Sequence, residues 1–157
     1  KLRYFAGPDP AMAPVWSASE SDAAPLFTHK QIGELSVVWC KPLEHWIMLY
    51  NAMAPRGIVF RAAKFPWGPW SDPAIIFSEL DGGYGVFVHS LMQSGPNGVD
   101  LSDPGRRGTW GGIYAPYMIP RYFRGDSKRC TIYFVLSTWN PYQVVLMQAD
   151  IGFPKND

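Results

Sequence analysis

The sequence has few charged residues, and its charges form no long cluster of one sign. Charged residues make up 17% of the 157-residue chain and the formal net charge is +1, whereas about a quarter of the residues in an average soluble domain are charged. The longest basic runs are the dipeptides Arg106-Arg107 and Lys128-Arg129. Because a nucleic-acid-binding surface needs a clustered basic stripe, the composition gives no support to that class of protein.

The sequence also lacks long apolar runs and the Cys/His motifs of metal-binding sites. No stretch approaches the length of a membrane-spanning helix, so we expect no membrane partner. No Asn-x-Ser/Thr acceptor for N-glycosylation occurs, and the Cys and His residues do not have the spacing of a zinc site. The chain has two cysteines, Cys40 and Cys130. They permit one disulfide, and two free buried thiols are an equal alternative.

Aromatic and turn-forming residues are abundant instead. The chain contains seven Trp, eight Tyr and nine Phe, together with fifteen Gly and fifteen Pro. A chain of this length is long enough for one domain with a substantial core. Many aromatics, many turn formers and few charges predict a turn-rich all-β protein.

Alternating and continuous apolar runs, separated by turn residues, predict a four-stranded antiparallel meander. The predicted strands span residues 35–39, 46–50, 58–62 and 74–77. The second of them is continuously apolar, as expected of a strand that is buried on both faces. Residues 65–73 form a wide aromatic turn between the last two strands.

The same order recurs along the chain. Residues 114–119, 131–136 and 142–147 match the first three strands of the meander, and Glu34 aligns with Ala115. At the N-terminus, residues 14–27 align with residues 68–77, which sets Trp16 opposite Trp70 in a Trp-Ser turn. The sequence "LRYFAG" before it would be the third strand of a preceding copy.

Tandem four-stranded meanders with a shared Trp-Ser turn predict part of a β-propeller; a β-sandwich with fortuitous internal similarity is the alternative. The strands amount to about two and a quarter blades, fewer than a closed ring requires. We therefore expect missing residues or another chain to complete the ring. The predicted organisation is the end of one blade (1–27), a complete blade (33–77), a long loop (78–112) and an incomplete last blade (113–151).

Five motifs resemble a known family. They are "GELSVVW", "WIMLYN", "FRAAKFPWGPWSDP", "YAPYMIPRYF" and "IYFVLSTWNPYQVVLMQADI". In this order they resemble the C-terminal half of the family called domain of unknown function 4185, from about Arg3 to Ile151. The resemblance implies a five-bladed propeller related to glycoside hydrolases and sialidases, some of whose bacterial members are endo-acting D-arabinanases. It therefore implies a secreted protein that acts on a polysaccharide or oligosaccharide.

Glu34 is the candidate catalytic residue. The first strand of each propeller blade lines the central channel, and Glu34 opens such a strand. Most glycosidases use two carboxyl groups, about 5–5.5 Å apart in retaining enzymes and about 6.5–9.5 Å apart in inverting ones. Glu34 would be the general acid or a stabilising carboxylate, with its partner outside the 157 residues. Alternatively, Glu34 is structural and binds backbone amides or pairs with Arg61.

The other candidates are substrate-binding residues. Sugars are held by aromatic faces and by amides that read their hydroxyl groups, which points to Tyr117, Trp139, Asn140 and Tyr142. His89, in the long loop, and Arg61 complete the set. Aromatic packing between blades is the alternative explanation for Trp139.

The predicted function is glycoside hydrolysis of the endo-arabinanase type. A lectin that binds sugar in the same channel without cutting it is the alternative. The sequence identifies no metal site and no cofactor.

Overall fold

In the computed structural model, the described residues are 1–54, 56–78, 112–139 and 144–153. These ranges contain ten β-strands, two short 3₁₀ segments and no α-helix. The strands are β1 (Tyr4–Pro8), β2 (Pro14–Ser17), β3 (Ile32–Cys40), β4 (His45–Met53), β5 (Arg56–Ala63), β6 (Ala74–Phe77), β7 (Gly112–Met118), β8 (Arg124–Gly125), β9 (Arg129–Trp139) and β10 (Val144–Gly152). The all-β prediction is confirmed.

Strands β3 to β6 form the central sheet, an antiparallel meander in the order β3-β4-β5-β6. Each of its strands overlaps a strand predicted from the sequence, and β6 coincides with the predicted range. The central sheet is buried on both faces: Ile47 and Leu49 belong to one hydrophobic cluster, and Met48 and Tyr50 belong to a second. This two-sided burial explains why the β4 sequence is continuously apolar rather than alternating.

Strands β7 to β10 form the C-terminal sheet, in which β9 lies between β7 and β10 and also pairs with β8. Strand β8, a two-residue pairing of Arg124 with Thr131 and Gly125 with Cys130, has no counterpart in the sequence prediction. The other three strands follow the order of the first three strands of the central sheet. Within the described ranges the sheets do not close into a ring, and they agree with partial blades of a propeller.

The central and C-terminal sheets pack face to face. Their shared cluster consists of Cys40, Leu43, Ile47, Leu49, Ile58, Phe60 and Ala62 from the central side and Ile113, Met118, Cys130, Ile132, Phe134, Leu136 and Ile151 from the other. Burying apolar surface on this scale supplies the main stabilising free energy of the pair of sheets. As a result, β3 and β7, an edge strand of each sheet, lie beside one another, and the backbone N–H of Met118 donates to Ser36 Oγ at 3.2 Å.

The N-terminal segment packs on the opposite face of the central sheet. Phe27 contacts the second cluster, which is made of Met48, Tyr50, Ala52 and Val59. Strands β1 and β2 form a separate hairpin, and Trp67 Nε1 donates to the Met12 carbonyl at 2.9 Å. The central sheet is therefore the middle layer of the described structure.

In each of the two Trp-Ser sequences the serine contacts a neighbouring strand, but the two sequences differ in secondary structure. Ser17 pairs with Tyr4 across the hairpin, and the Ser71 N–H donates to the Ala62 carbonyl at 2.8 Å. The sequence analysis predicts both as turns, yet Trp16 lies within the regular strand β2, so that prediction is wrong for the first copy. The prolines that flank the second Trp-Ser have no backbone N–H and cannot extend a strand ladder.

A buried polar network fastens the N-terminal segment to the central sheet. Arg61 Nε donates to the Tyr50 hydroxyl at 3.0 Å, and His29 Nδ1 lies 2.7 Å from the same oxygen. Because arginine can only donate, the Tyr50 hydroxyl gives its own proton to His29. His29 Nε2 then donates to the Ala54 carbonyl at 3.2 Å. The Arg61 guanidinium also lies 4.9 Å from the centroid of the Phe27 ring, so it packs against the segment that leads into β3.

Replacing Tyr50 with Phe tests this network. The substitution leaves a buried donor and a buried acceptor without their partner, so we expect a loss of about 1–3 kcal/mol in the free energy of unfolding. Urea unfolding followed by tryptophan fluorescence measures it. Tyr117→Phe is the matched control, because the Tyr117 side chain is 67% exposed and its change should lie within about 0.5 kcal/mol. Equal, small effects of both substitutions would contradict the assigned network.

Candidate functional site

Glu34 lies in a β-bulge of strand β3. Ile32 pairs with Ala52 and Leu35 pairs with Tyr50 on strand β4, so Gly33 and Glu34 together oppose the single residue Asn51. Two residues opposite one is the definition of a bulge, which bends a strand and redirects its side chains. The bulge thus interrupts the regular pairing of β3 with β4 at the residue that carries the carboxylate.

Gly33 lies directly against the Asn51 side chain. A Cβ atom on Gly33 would overlap that side chain, lying 2.6 Å from Asn51 Oδ1, well inside contact distance. The Asn51 side chain therefore covers the Gly33 backbone. Asn51 is 8% exposed, and its Oδ1 has no hydrogen-bond partner among the described residues, which leaves an unsatisfied acceptor beside the bulge.

Glu34 lies two residues before the point at which β3 contacts strand β7. At that point the Ser36 hydroxyl receives a hydrogen bond from the backbone N–H of Met118. Asn51 follows Leu49 on the same face of β4, the face packed against the C-terminal sheet. Glu34 itself is exposed, and no hydrogen bond or ion pair reaches its carboxylate from the described part of the chain.

Strand β7 has a bulge at the equivalent place. Its register with β9 shifts between Tyr114 and Tyr117, and Ala115 has a positive φ of 52°. That conformation is uncommon for a residue with a Cβ. The repeat aligned Ala115 with Glu34, and the structure shows an irregularity at both positions but a carboxylate at only one of them. The bulge thus belongs to the repeated architecture, and the acid is particular to β3.

Arg61 does not pair with Glu34. Its side chain is 7% exposed and lies on the other face of the central sheet, where it is bonded to Tyr50 and donates through NH1 to the Ser71 carbonyl at 2.6 Å. The predicted ion pair is therefore wrong, because the alternation of β5 directs Arg61 away from β7. The same burial argues against direct contact between Arg61 and a substrate.

Tyr117 is exposed on the C-terminal sheet. It pairs with Val135 on β9, whereas the next residue, Met118, is buried between the two sheets. Strand alternation therefore directs Tyr117 to the outer face of the C-terminal sheet. Its role in substrate binding stays a prediction.

Several predicted site residues fall outside the described ranges. They are His89, Asn140 and Tyr142. Trp139 ends strand β9 with its backbone opposite Gly112, and its side chain is also outside the description. The roles assigned to these residues stay predictions.

The bulge offers mainly oxygen acceptors. Of these, Asn51 and Ser36 are buried, so the exposed Glu34 carboxylate is the acceptor that the hydroxyl groups of a ligand can reach. Over the described residues, no cluster of three or more His, Cys, Asp or Glu side chains could hold a metal ion. The ranges that the structure covers also contain no helical segment that could serve as a membrane span.

Sequence comparison identifies the family of the chain. The family described as "Domain of unknown function (DUF4185)" matches residues 1–148. The chain belongs to this family. The match covers β1 to β9 and most of β10, and it confirms the resemblance found in the five motifs. A search of curated proteins found no match.

Asn51 is the site residue that the sequence analysis did not find. It follows an apolar run and precedes a turn, where asparagine is ordinary. The only signal was Gly33 directly before Glu34, since an isolated glycine in a strand suggests a bulge or a close backbone approach. The partner that approaches it comes from another strand and cannot be read from local sequence.

A double-mutant cycle tests the bulge. Gly33→Ala places a methyl group against the buried Asn51 side chain, so we expect a loss of about 1–3 kcal/mol in the free energy of unfolding. In an Asn51→Ala background the obstruction is gone, and the same substitution should cost much less. Urea unfolding of the four proteins measures the coupling. Strictly additive effects would mean that Asn51 does not cover Gly33.

Proposed function

We propose that this chain belongs to a secreted glycan-acting protein, a glycoside hydrolase of the endo-arabinanase type, in which Glu34 is the general acid or a stabilising carboxylate. The observation that carries the proposal is that the Glu34 carboxylate is accessible. It is exposed, it lies on the bulged edge strand β3, and no described side chain pairs with it.

The absence of a described partner distinguishes Glu34 from a structural acid. A general acid must deliver its proton to the leaving oxygen of the glycosidic bond, so its carboxyl group has to be accessible to the substrate. An acid that locked two sheets together would instead be bonded to amides or to a cation. In this structure Ser36, not Glu34, makes the polar contact with β7.

The exposed Glu34 carboxylate suits a hydroxyl-rich ligand, because it can accept hydrogen bonds from sugar hydroxyl groups. The Oδ1 of Asn51 is buried beneath the bulge. The second carboxylate would come from outside the described residues, since the equivalent residue of β7 is Ala115.

The second candidate function is a lectin. The observation that favours it is the single carboxylate: the two equivalent bulges supply one acid between them, at Glu34 and not at Ala115. A protein that only binds sugar needs no carboxylate pair, and the same surface could hold a glycan through hydrogen bonds.

A polysaccharide panel that includes arabinan tests the proposal, with release of reducing ends as the measurement. Loss of a general acid typically lowers the rate by about 10²- to 10⁴-fold, and we expect a decrease in that range for Glu34→Gln. The Glu34 side chain is exposed and unpaired among the described residues. The free energy of unfolding of the Glu34→Gln variant should therefore differ from that of the unaltered protein by less than about 0.5 kcal/mol.

Glu20→Gln is the matched control. Glu20 is also exposed, but it lies in a 3₁₀ segment before β3, so hydrolysis should be unchanged. Full activity of Glu34→Gln would refute the assignment of Glu34. Glycan binding by the unaltered protein without any cleavage would favour the lectin, and neither binding nor cleavage would overturn both.

A further inference from the structure

The two cysteines of the chain meet in the core. Cys40 ends strand β3 of the central sheet, and Cys130 lies at the start of β9 in the C-terminal sheet. They are 90 positions apart in the sequence, yet their Sγ atoms are 3.6 Å apart. Both are reduced here and are buried, with exposures of 0% and 1%.

We propose that Cys40 and Cys130 are an oxidation site, at which a disulfide joins the central sheet to the C-terminal sheet. The inference rests on their proximity across the sheet interface and is independent of the proposed function.

The geometry requires only a small adjustment. A disulfide has an S–S bond of about 2.0 Å, so the two sulfur atoms must approach by less than the width of one atom. Rotation about the Cα–Cβ bonds moves both of them. The chain contains no third cysteine, so an intramolecular bond can form only between these two residues.

The position of the pair would give the bond a structural effect. Ser36 and Cys40 are four residues apart on β3 and face the same cluster. Their partners, Met118 and Cys130, belong to the C-terminal sheet. One polar contact therefore holds the interface near the Glu34 end of β3, and a disulfide would hold it at the other end. The covalent bond would maintain the alignment of the two sheets.

Thiol–disulfide exchange with a small disulfide such as oxidised glutathione supplies the chemistry. One cysteine thiolate attacks a glutathione sulfur, which forms a mixed disulfide and releases one glutathione thiolate. The second cysteine thiolate then attacks the protein sulfur of the mixed disulfide and releases the other glutathione. Two protein thiols are oxidised, one glutathione disulfide is reduced to two thiols, and the two protons pass to the released thiolates or to solvent.

Burial decides when this reaction can occur. Desolvation, together with the neighbouring Cys40 thiol, raises the pKa of Cys130 to about 12, and the thiolate is the reactive form. The folded, reduced protein should therefore exchange slowly. Oxidation is expected during folding or during transient opening of the sheet interface, before the thiols are sealed in the core.

Refolding in a redox buffer tests the proposal. The reduced, unfolded protein is refolded in oxidised and reduced glutathione, then unfolded again in the presence of iodoacetamide, and its peptides are mapped without reduction. We expect a cross-linked peptide that contains Cys40 and Cys130, with neither residue alkylated. Alkylation of both cysteines, bonds between separate molecules, or stable glutathione adducts in place of the cross-link would overturn the proposal.

Stability provides a second measurement. A cross-link restricts the unfolded chain, so the oxidised protein should unfold at a higher urea concentration than the same protein after reduction. The Cys40→Ala and Cys130→Ala variants should show no difference between oxidising and reducing conditions. The comparison of the two redox forms of the unaltered protein decides the question even where a variant does not fold. A cross-linked form that is no more stable than the reduced form would overturn the structural role.

Discussion

Apolar packing between the central and C-terminal sheets is the interaction on which the rest of the described structure depends. A sheet with one uncovered apolar face is not stable in water, so each of these sheets requires the other. Their packing brings β3 beside β7, pairs Ser36 with Met118, and encloses both cysteines. The second face of the central sheet is covered by the N-terminal segment through Phe27 and the Tyr50–Arg61–His29 network. Every position of the candidate site is fixed relative to these two layers.

The bulge of β3 connects this packing to chemistry. Regular pairing would continue the alternation of the strand to its end, whereas the extra residue opposite Asn51 redirects the chain at Gly33 and Glu34. The equivalent irregularity in β7 shows that the architecture repeats the bulge independently of the acid. A carboxylate at one copy and a methyl group at the other is the pattern expected when a common framework carries a function at one position. This is why Glu34, rather than any other acid of the described residues, anchors the proposed glycan chemistry.

Membership in the DUF4185 family identifies the relatives of the chain and leaves the activity to be decided at the site. The structure places three predicted site residues in different surroundings. The sequence analysis predicts Glu34 as catalytic and Arg61 and Tyr117 as substrate-binding, but Arg61 lies in a buried network, Tyr117 on an outer sheet face and Glu34 on an exposed bulge. The distinction follows from strand alternation, which places side chains one residue apart on opposite faces. The proposed disulfide between Cys40 and Cys130 would reinforce the same interface on which the position of Glu34 depends.

The sequence by itself determined the strands and their order. Their apolar runs, the turn residues between them and the internal repeat are local or periodic signals, and they predicted the central meander and three strands of the C-terminal sheet. It also singled out Glu34, because an acid at the start of an apolar strand is unusual. Only the tertiary structure decided which residues meet: Asn51 over Gly33, Ser36 with Met118, Arg61 with Tyr50 instead of Glu34, and Cys40 with Cys130. Such pairs join distant parts of the chain, and their geometry depends on sheet packing, which no local pattern encodes.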